Sequence, residues 1–131
     1  MPKVVGVTVT GVIVVDGANV VGSRPDGWWR DRAGAARRLH DRLMTADLSA
    51  DEVVLVLEGA AKAGHRAGRD GHVTTLHAAG EGDDAILAAA ADSVASGHRV
   101  SVVTADRALR ARVEAVGATA LGPSWLLDQL P

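Results

Sequence analysis

VIVVDGANVVGSRPDGWWRDR, residues Val12 to Arg32, is the stretch whose reading decides the fold. Four consecutive apolar residues, Val12, Ile13, Val14 and Val15, run straight into Asp16. All are β-branched, with no polar alternation. Such a run predicts a strand covered on both faces, the usual state of a central parallel strand. An aspartate at the carboxyl end of that strand stands where open α/β sheets place their chemistry. Gly17, Ala18 and Asn19 follow, then a loop marked by glycine and by the pair Trp28 and Trp29.

The pattern outside this stretch repeats the alternation of strand and helix. Val53 to Leu57 is a second buried strand ending at Glu58, His72 to His77 a third, Val100 to Val103 a fourth, and Ala118 to Leu121 a short fifth. Helical periodicity runs from about Trp29 to Ala46, from Asp84 to about Ser96 and from Asp106 to about Val116. Gly97 and Gly117 stop the latter two, and Pro123 opens a last helix with Trp125, Leu126 and Leu130. Gly59 to Gly71 is rich in glycine and small residues and is predicted as a loop with at most one helical turn. Lys3 to Thr10 is either an extra strand or a leader. The expectation is therefore a single α/β domain over residues 1–131, three-layered α/β/α, on a mostly parallel five-stranded sheet.

Totals narrow the function classes. The chain has 131 residues, 47% apolar, which is enough for a substantial core and excludes a disordered chain. It has no cysteine, so disulfides and thiolate metal sites are excluded. No apolar run approaches the ~20 residues of a membrane span, and the start makes a poor signal peptide, so a cytoplasmic protein is expected. A net charge of −2 argues against a broadly basic nucleic-acid binder but allows a local basic surface beside an acidic metal site. With three Trp, no Phe and no Tyr, the core must be built from Val, Leu, Ile and Ala.

Acidic residues fall just beyond strand ends: Asp16, Glu58, the pair Asp83 and Asp84, and Asp106. In a parallel sheet those ends share one edge, and carboxylates gathered there repel one another unless a cation neutralises them. Oxygen donors without a Cys or paired-His motif point to Mg²⁺ or Mn²⁺, and such a site suits phosphodiester hydrolysis. Asp16 closes a buried strand, where an unpaired carboxylate is costly, but the acids at helix starts also have a plainer reading. Asp83 and Asp84 favour a helix dipole, and Asp106 could simply begin its helix. Gly80-Glu-Gly-Asp-Asp-Ala85 fits the spacing of a dinucleotide fingerprint, but it follows the third strand and places two aspartates where a pyrophosphate would sit, so that reading is rejected.

With VVDGANVV carrying Asp16 and Asn19, the D-x-x-I of Asp83 to Ile86, and VVTAD ending at Asp106, the chain resembles the PIN-like nuclease superfamily. The likeness is greatest to its NYN branch with the YacP-type proteins, and covers nearly the whole chain from Gly11. The resemblance implies a metal-dependent ribonuclease on a three-layer fold. It implies Asp16, Asp83 and Asp106 as metal ligands, with Asp84 doubling the second position, Glu58 and Glu81 as further candidates, and Asn19 positioning Asp16 or a phosphate.

Candidate substrate contacts are Asn19, Arg24, Trp28, Arg30, Thr104 and Arg107, with RNA the expected partner and self-association into a homodimer left open. Trp29 is expected in the core on the helical stripe, Trp28 exposed and able to stack a base, and Trp125 in the core. His65, His72 and His77 are placed near the active edge as incidental residues. Two rival functions use the same residues: an RNA-binding or scaffolding module with a decayed site, and a nucleotide triphosphate pyrophosphohydrolase.

Overall fold

A computed structural model describes residues 11–131; the expected leader or strand over Lys3 to Thr10 lies outside these residues. The chain runs β1 (Gly11–Asp16), α1 (Gly17–Gly22), a 3-10 helix (Trp28–Arg30), α2 (Arg32–Thr45), β2 (Glu52–Leu57), a second 3-10 helix (Gly59–Gly64) and β3 (Gly68–Asp70). It continues through β4 (Val73–His77), α3 (Gly82–Ala95), β5 (Arg99–Val103), α4 (Arg107–Ala115), β6 (Thr119–Leu121) and α5 (Pro123–Leu127). The sheet order is β3-β4-β2-β1-β5-β6, parallel throughout except for β3 against β4.

The fold is thus the expected α/β sheet with one more strand. The addition is β3, whose three residues, Gly68, Arg69 and Asp70, are too few to show a strand period in the sequence. Its hairpin turns at Gly71 and His72, where Gly71 has φ +56°, a left-handed conformation that glycine adopts without strain.

β1 is central because its run of β-branched residues has two faces to cover. Ile13 and Val15 pack with Val20 of α1, Leu39 and Leu43 of α2 and Leu126 of α5. Val12 and Val14 pack on the other side with Ile86 and Ala90 of α3 and Leu109 and Val113 of α4. The period of two that separates these sets sends Asp16 to the α3–α4 side. β2 lies on one flank of β1 and β5 on the other, and the chain reaches them by oppositely directed connections. The carboxyl ends of β1 and β5 therefore bound the crevice at which open α/β sheets bind ligands. Among the described residues, no helix is long and apolar enough to cross a membrane.

Close approach of backbone fixes two small residues. A Cβ at Gly17 would lie 2.7 Å from the Val56 carbonyl oxygen, and one at Gly64 would lie against the Ala33 carbonyl oxygen, where the second 3-10 helix packs on α2. Gly64→Ala is expected to destabilise by about 1–3 kcal/mol, the usual cost of forcing atoms into a packed interface. Urea denaturation should show this as a lower midpoint at unchanged slope.

Candidate functional site

Asp16 is built into the structure from three directions. It is 3% exposed. Its Oδ2 accepts from Asn19 Nδ2 and from Thr104 Oγ1, each at 2.8 Å, and its Oδ1 accepts the Asn19 backbone N–H at 3.3 Å, capping α1. The bond to Thr104, 88 residues away, joins the ends of β1 and β5. Thr104 is itself fully buried, and its hydroxyl also accepts the Asp106 backbone N–H at 3.2 Å. Asp106 in turn caps α4, with Oδ1 accepting from Leu109 N at 2.9 Å. The hydroxyl of Thr104 therefore ties two of the candidate acids together.

The third comes from α3. Asp83, in the first turn of that helix, has its carboxyl pushed above the ordinary range, first by burial and then by the charges of Asp106, Asp16 and Glu81. Asp84 points elsewhere, with Arg112 Nη2 3.3 Å from its Oδ1 and a side chain open to solvent. Glu58, after β2, reaches across to the start of α3, where its Oε2 accepts the Gly82 N–H at 3.0 Å. That carboxylate occupies the amide a dinucleotide phosphate would need. Glu81 is exposed.

Asp83 is thus near enough to Asp16 and Asp106 to feel their charge, but the three do not form a closed ligand set. Among the described residues, the group of three metal-ligating side chains whose ligand atoms all lie within 4.8 Å of one another is a different one, His40, His65 and Asp70. The chemistry of the acidic edge fits Mg²⁺ or Mn²⁺, since its donors are carboxylate oxygens and the mutual repulsion at Asp83 is what a cation relieves. Mg²⁺ keeps several of its waters, so carboxylates spaced more widely than direct ligands still suit it.

A raised carboxyl pKa in the folded chain makes ionised Asp83 a destabilising group. Its contribution to stability is present below the ordinary carboxylate range and lost as pH rises through the raised value. Asp83→Asn should therefore raise Tm at pH 7 without divalent ions, and the gain should shrink as pH falls below the carboxylate range. Calorimetric scans from pH 3 to 8 check this.

Two clefts open near the carboxyl ends of the strands, and Asp83 lines only the first. One of about 470 Å³ is lined by Gly80, Glu81, Asp83, Asp84 and Arg112. The other, about 340 Å³, is lined by Trp28, Arg32, Gly17, Ala18 and Glu58. Trp28 is half-buried, stacked edge-on to Trp29 with Arg32 Cζ 5.4 Å from its ring, whereas Trp29 is 50% exposed with Arg30 Cζ 6.0 Å from its ring.

This reverses the expected burial of the two tryptophans. α2 starts only at Arg32, capped by Asp31 accepting from Gly34 N at 2.8 Å, so Trp29 falls in the preceding 3-10 helix and off the apolar stripe. Trp125 is half-buried against the α1–α2–α5 core. Arg24 lies 3.8 Å from Asp128 and lines a hollow between α1 and α2, on the other face of the sheet from Asp83. Arg107 is the exposed residue after Asp106.

Of the three histidines expected near the active edge, one is placed elsewhere. His72 precedes β4, at the end opposite the acids, and its Nε2 donates to Leu43 O at 3.0 Å. His65 contacts Asp70, and His77 at the end of β4 donates to the His65 carbonyl at 2.7 Å. His40, buried on α2, is a chemically able residue that the strand-end pattern does not single out. Its signal in the sequence is its place among Ala36, Leu39 and Leu43, on a face where an ionisable side chain needs a reason.

Compared with known proteins, no family model matches the chain and no curated protein matches it. Among solved structures, it is similar to a point mutant of Rae1 (YacP) from Bacillus subtilis, with a TM-score of 0.69 at 20% identity, over 91% of this chain and 74% of that one. At that identity the likeness shows a shared fold, a mostly parallel α/β sheet with helices on both faces.

Proposed function

We propose that the chain is a metal-dependent ribonuclease that hydrolyses RNA phosphodiester bonds at the edge formed by Asp16, Asp83 and Asp106. The observation that carries this reading is the convergence of carboxylates from β1, α3 and α4 on the switch point of the sheet, felt at Asp83 as a raised pKa. The fold shared with Rae1 (YacP) and the resemblance of VVDGANVV, D-x-x-I and VVTAD to NYN nucleases support it. A bound Mg²⁺ or Mn²⁺ would supply a Lewis acid for the phosphate and an acidic water.

The protein's own part is orientation and proton handling. Asn19 and Thr104 hold Asp16, Thr104 and the Leu109 amide hold Asp106, and burial and the neighbouring charges hold the Asp83 carboxyl above its ordinary range. Asp84, Glu58 and Glu81 ring the edge, with Asp84 engaged by Arg112 and Glu58 by Gly82.

The Trp28 cleft, lined by Arg32, provides a π-face and positive charge for a single-stranded base and its phosphates. Trp28→Ala should weaken single-stranded RNA binding by about 1–3 kcal/mol, measured by fluorescence anisotropy in the presence of EDTA. The spacing of the carboxylates gives one observation to the rival RNA-binding module. Purified chain with Mn²⁺ should cut single-stranded RNA faster than it hydrolyses free nucleoside triphosphates. RNA bound without turnover would favour the module, and faster triphosphate turnover the pyrophosphohydrolase.

A further inference from the structure

A second constellation of chemically able side chains lies away from the acidic edge. His40, in α2, is 3% exposed, and neither Nδ1 nor Nε2 has a hydrogen-bond partner. Leaving both ring nitrogens of a buried imidazole unmet is costly, and folded proteins rarely do so without a use for them. The ring lies face to face with His65, centroids 3.6 Å apart and planes 17° from parallel. Nε2 of each ring approaches the same atom, Asp70 Oδ2, at 3.7 Å from His40 and 2.8 Å from His65. One ligand atom from each of the three residues lies within 4.8 Å of the other two.

We propose that His40, His65 and Asp70 form a Zn²⁺ site that clasps α2 to the segment between the second 3-10 helix and β3. Two imidazoles and one carboxylate, without thiolate, suit a borderline ion in a tetrahedral site whose fourth position is water. Outer partners of the expected kind are in place. Asp41 Oδ1 lies 3.7 Å from His40 Nδ1, where it would orient the ring once Nε2 is a ligand, and Arg66 Nη2 donates to Asp70 Oδ1 at 2.7 Å.

Lone pairs on stacked rings run nearly parallel, so binding must open the stack. His65, which follows the 3-10 helix, has the more exposed side chain of the two, 22% against 4%, and so the room to turn. Thr75 Oγ1, in the β4 residue paired with Gly68, is also buried without a partner on this side of the sheet.

The site is separate from the nuclease reading and stands without it. Asp70 lies on β3, three strands from β1, a distance of ~14 Å across the sheet. It faces α2, whereas the acids lie on the α3–α4 side. An ion here would therefore hold structure. The loop it secures is the glycine-rich segment that the sequence alone presents as loosely organised.

The test is a titration of the full chain, stripped with chelator, with Zn²⁺ against a chromophoric competitor. One Zn²⁺ per chain is expected, with Tm raised by about 5–10 °C at a hundredfold excess over Kd. The same binding should persist in the Asp16→Asn/Asp106→Asn double variant. His65→Gln should weaken it at least ~100-fold, beyond what loss of an outer partner alone usually costs. Co²⁺ in place of Zn²⁺ should give the visible absorption of a tetrahedral site, absent in His65→Gln. His40→Gln is a second ligand variant, and His65→Gln, at a partly exposed residue, serves should His40→Gln not fold. No stoichiometric binding, binding unchanged in His65→Gln, or binding lost in the Asp16→Asn/Asp106→Asn variant would each overturn the site.

Discussion

Asp106→Asn and Asp16→Asn are each expected to lower Mn²⁺-dependent RNA cleavage by about 10³-fold, the scale seen when one preorganised electrostatic group is removed from an active site. The two differ in their side effects. Asparagine caps helices as well as aspartate does, so Asp106→Asn keeps the bond to Leu109 N and should leave Tm nearly unchanged. Asp16 accepts hydrogen bonds on both oxygens, from Asn19 N on one and from Asn19 Nδ2 and Thr104 on the other. An amide there must turn its NH₂ towards a donor, and a loss of ~1–3 kcal/mol should accompany the loss of activity. Asp84→Asn is the control: its carboxylate faces Arg112 in solvent, and cleavage should change by less than about threefold. Single-turnover rates on a labelled single-stranded RNA separate these outcomes. Equal activity in wild type and Asp106→Asn would remove the acidic edge from the mechanism.

Ile86→Ala carries a large expected cost in stability. Ile86 is fully buried beneath α3, between Val12, Val14 and Ala90, one helical turn from Asp83. Truncating a buried aliphatic side chain costs ~2–5 kcal/mol, on the order of 10 °C in Tm for a chain of this size. Leu43→Ala, equally buried on the α2 side, should cost a similar amount. The difference lies in function. Loosening α3 displaces Asp83 from its neighbours, so Ile86→Ala should lose cleavage well below its melting temperature, whereas Leu43→Ala should keep it. Denaturation midpoints and rates at 15 °C for both variants make the comparison.

The β1 strand, its burial on both faces and its aspartate can be read directly from the sequence, because an unbroken β-branched run is long enough to form a strand and too apolar to leave either face in water. The pairing of Asp16 with Asn19 is within reach for a related reason: the two are three residues apart, and local geometry decides the contact. The bond from Asp16 to Thr104 depends on β5 lying next to β1, which no local pattern states.

Trp29 is exposed and Trp28 half-buried, the opposite of the expected order, because an apolar stripe suggests an early helix start, whereas the Asp31 cap delays it to Arg32. β3 escapes a reading by periodicity because three residues cannot show a period, although Asp70-Gly71 is a hairpin signal. The His40, His65 and Asp70 cluster is illegible in the sequence since its members come from a helix, a loop and an edge strand, and only the packing of the 3-10 helix on α2 brings them together.

The most direct test of the acidic edge is an anomalous-difference map from a crystal of the full chain soaked in Mn²⁺. A peak bounded by the carboxylates of Asp16, Asp83 and Asp106, with Asp84 left on Arg112, is the expected result. A map with no peak at that edge, at Mn²⁺ concentrations that support RNA cleavage, would contradict it.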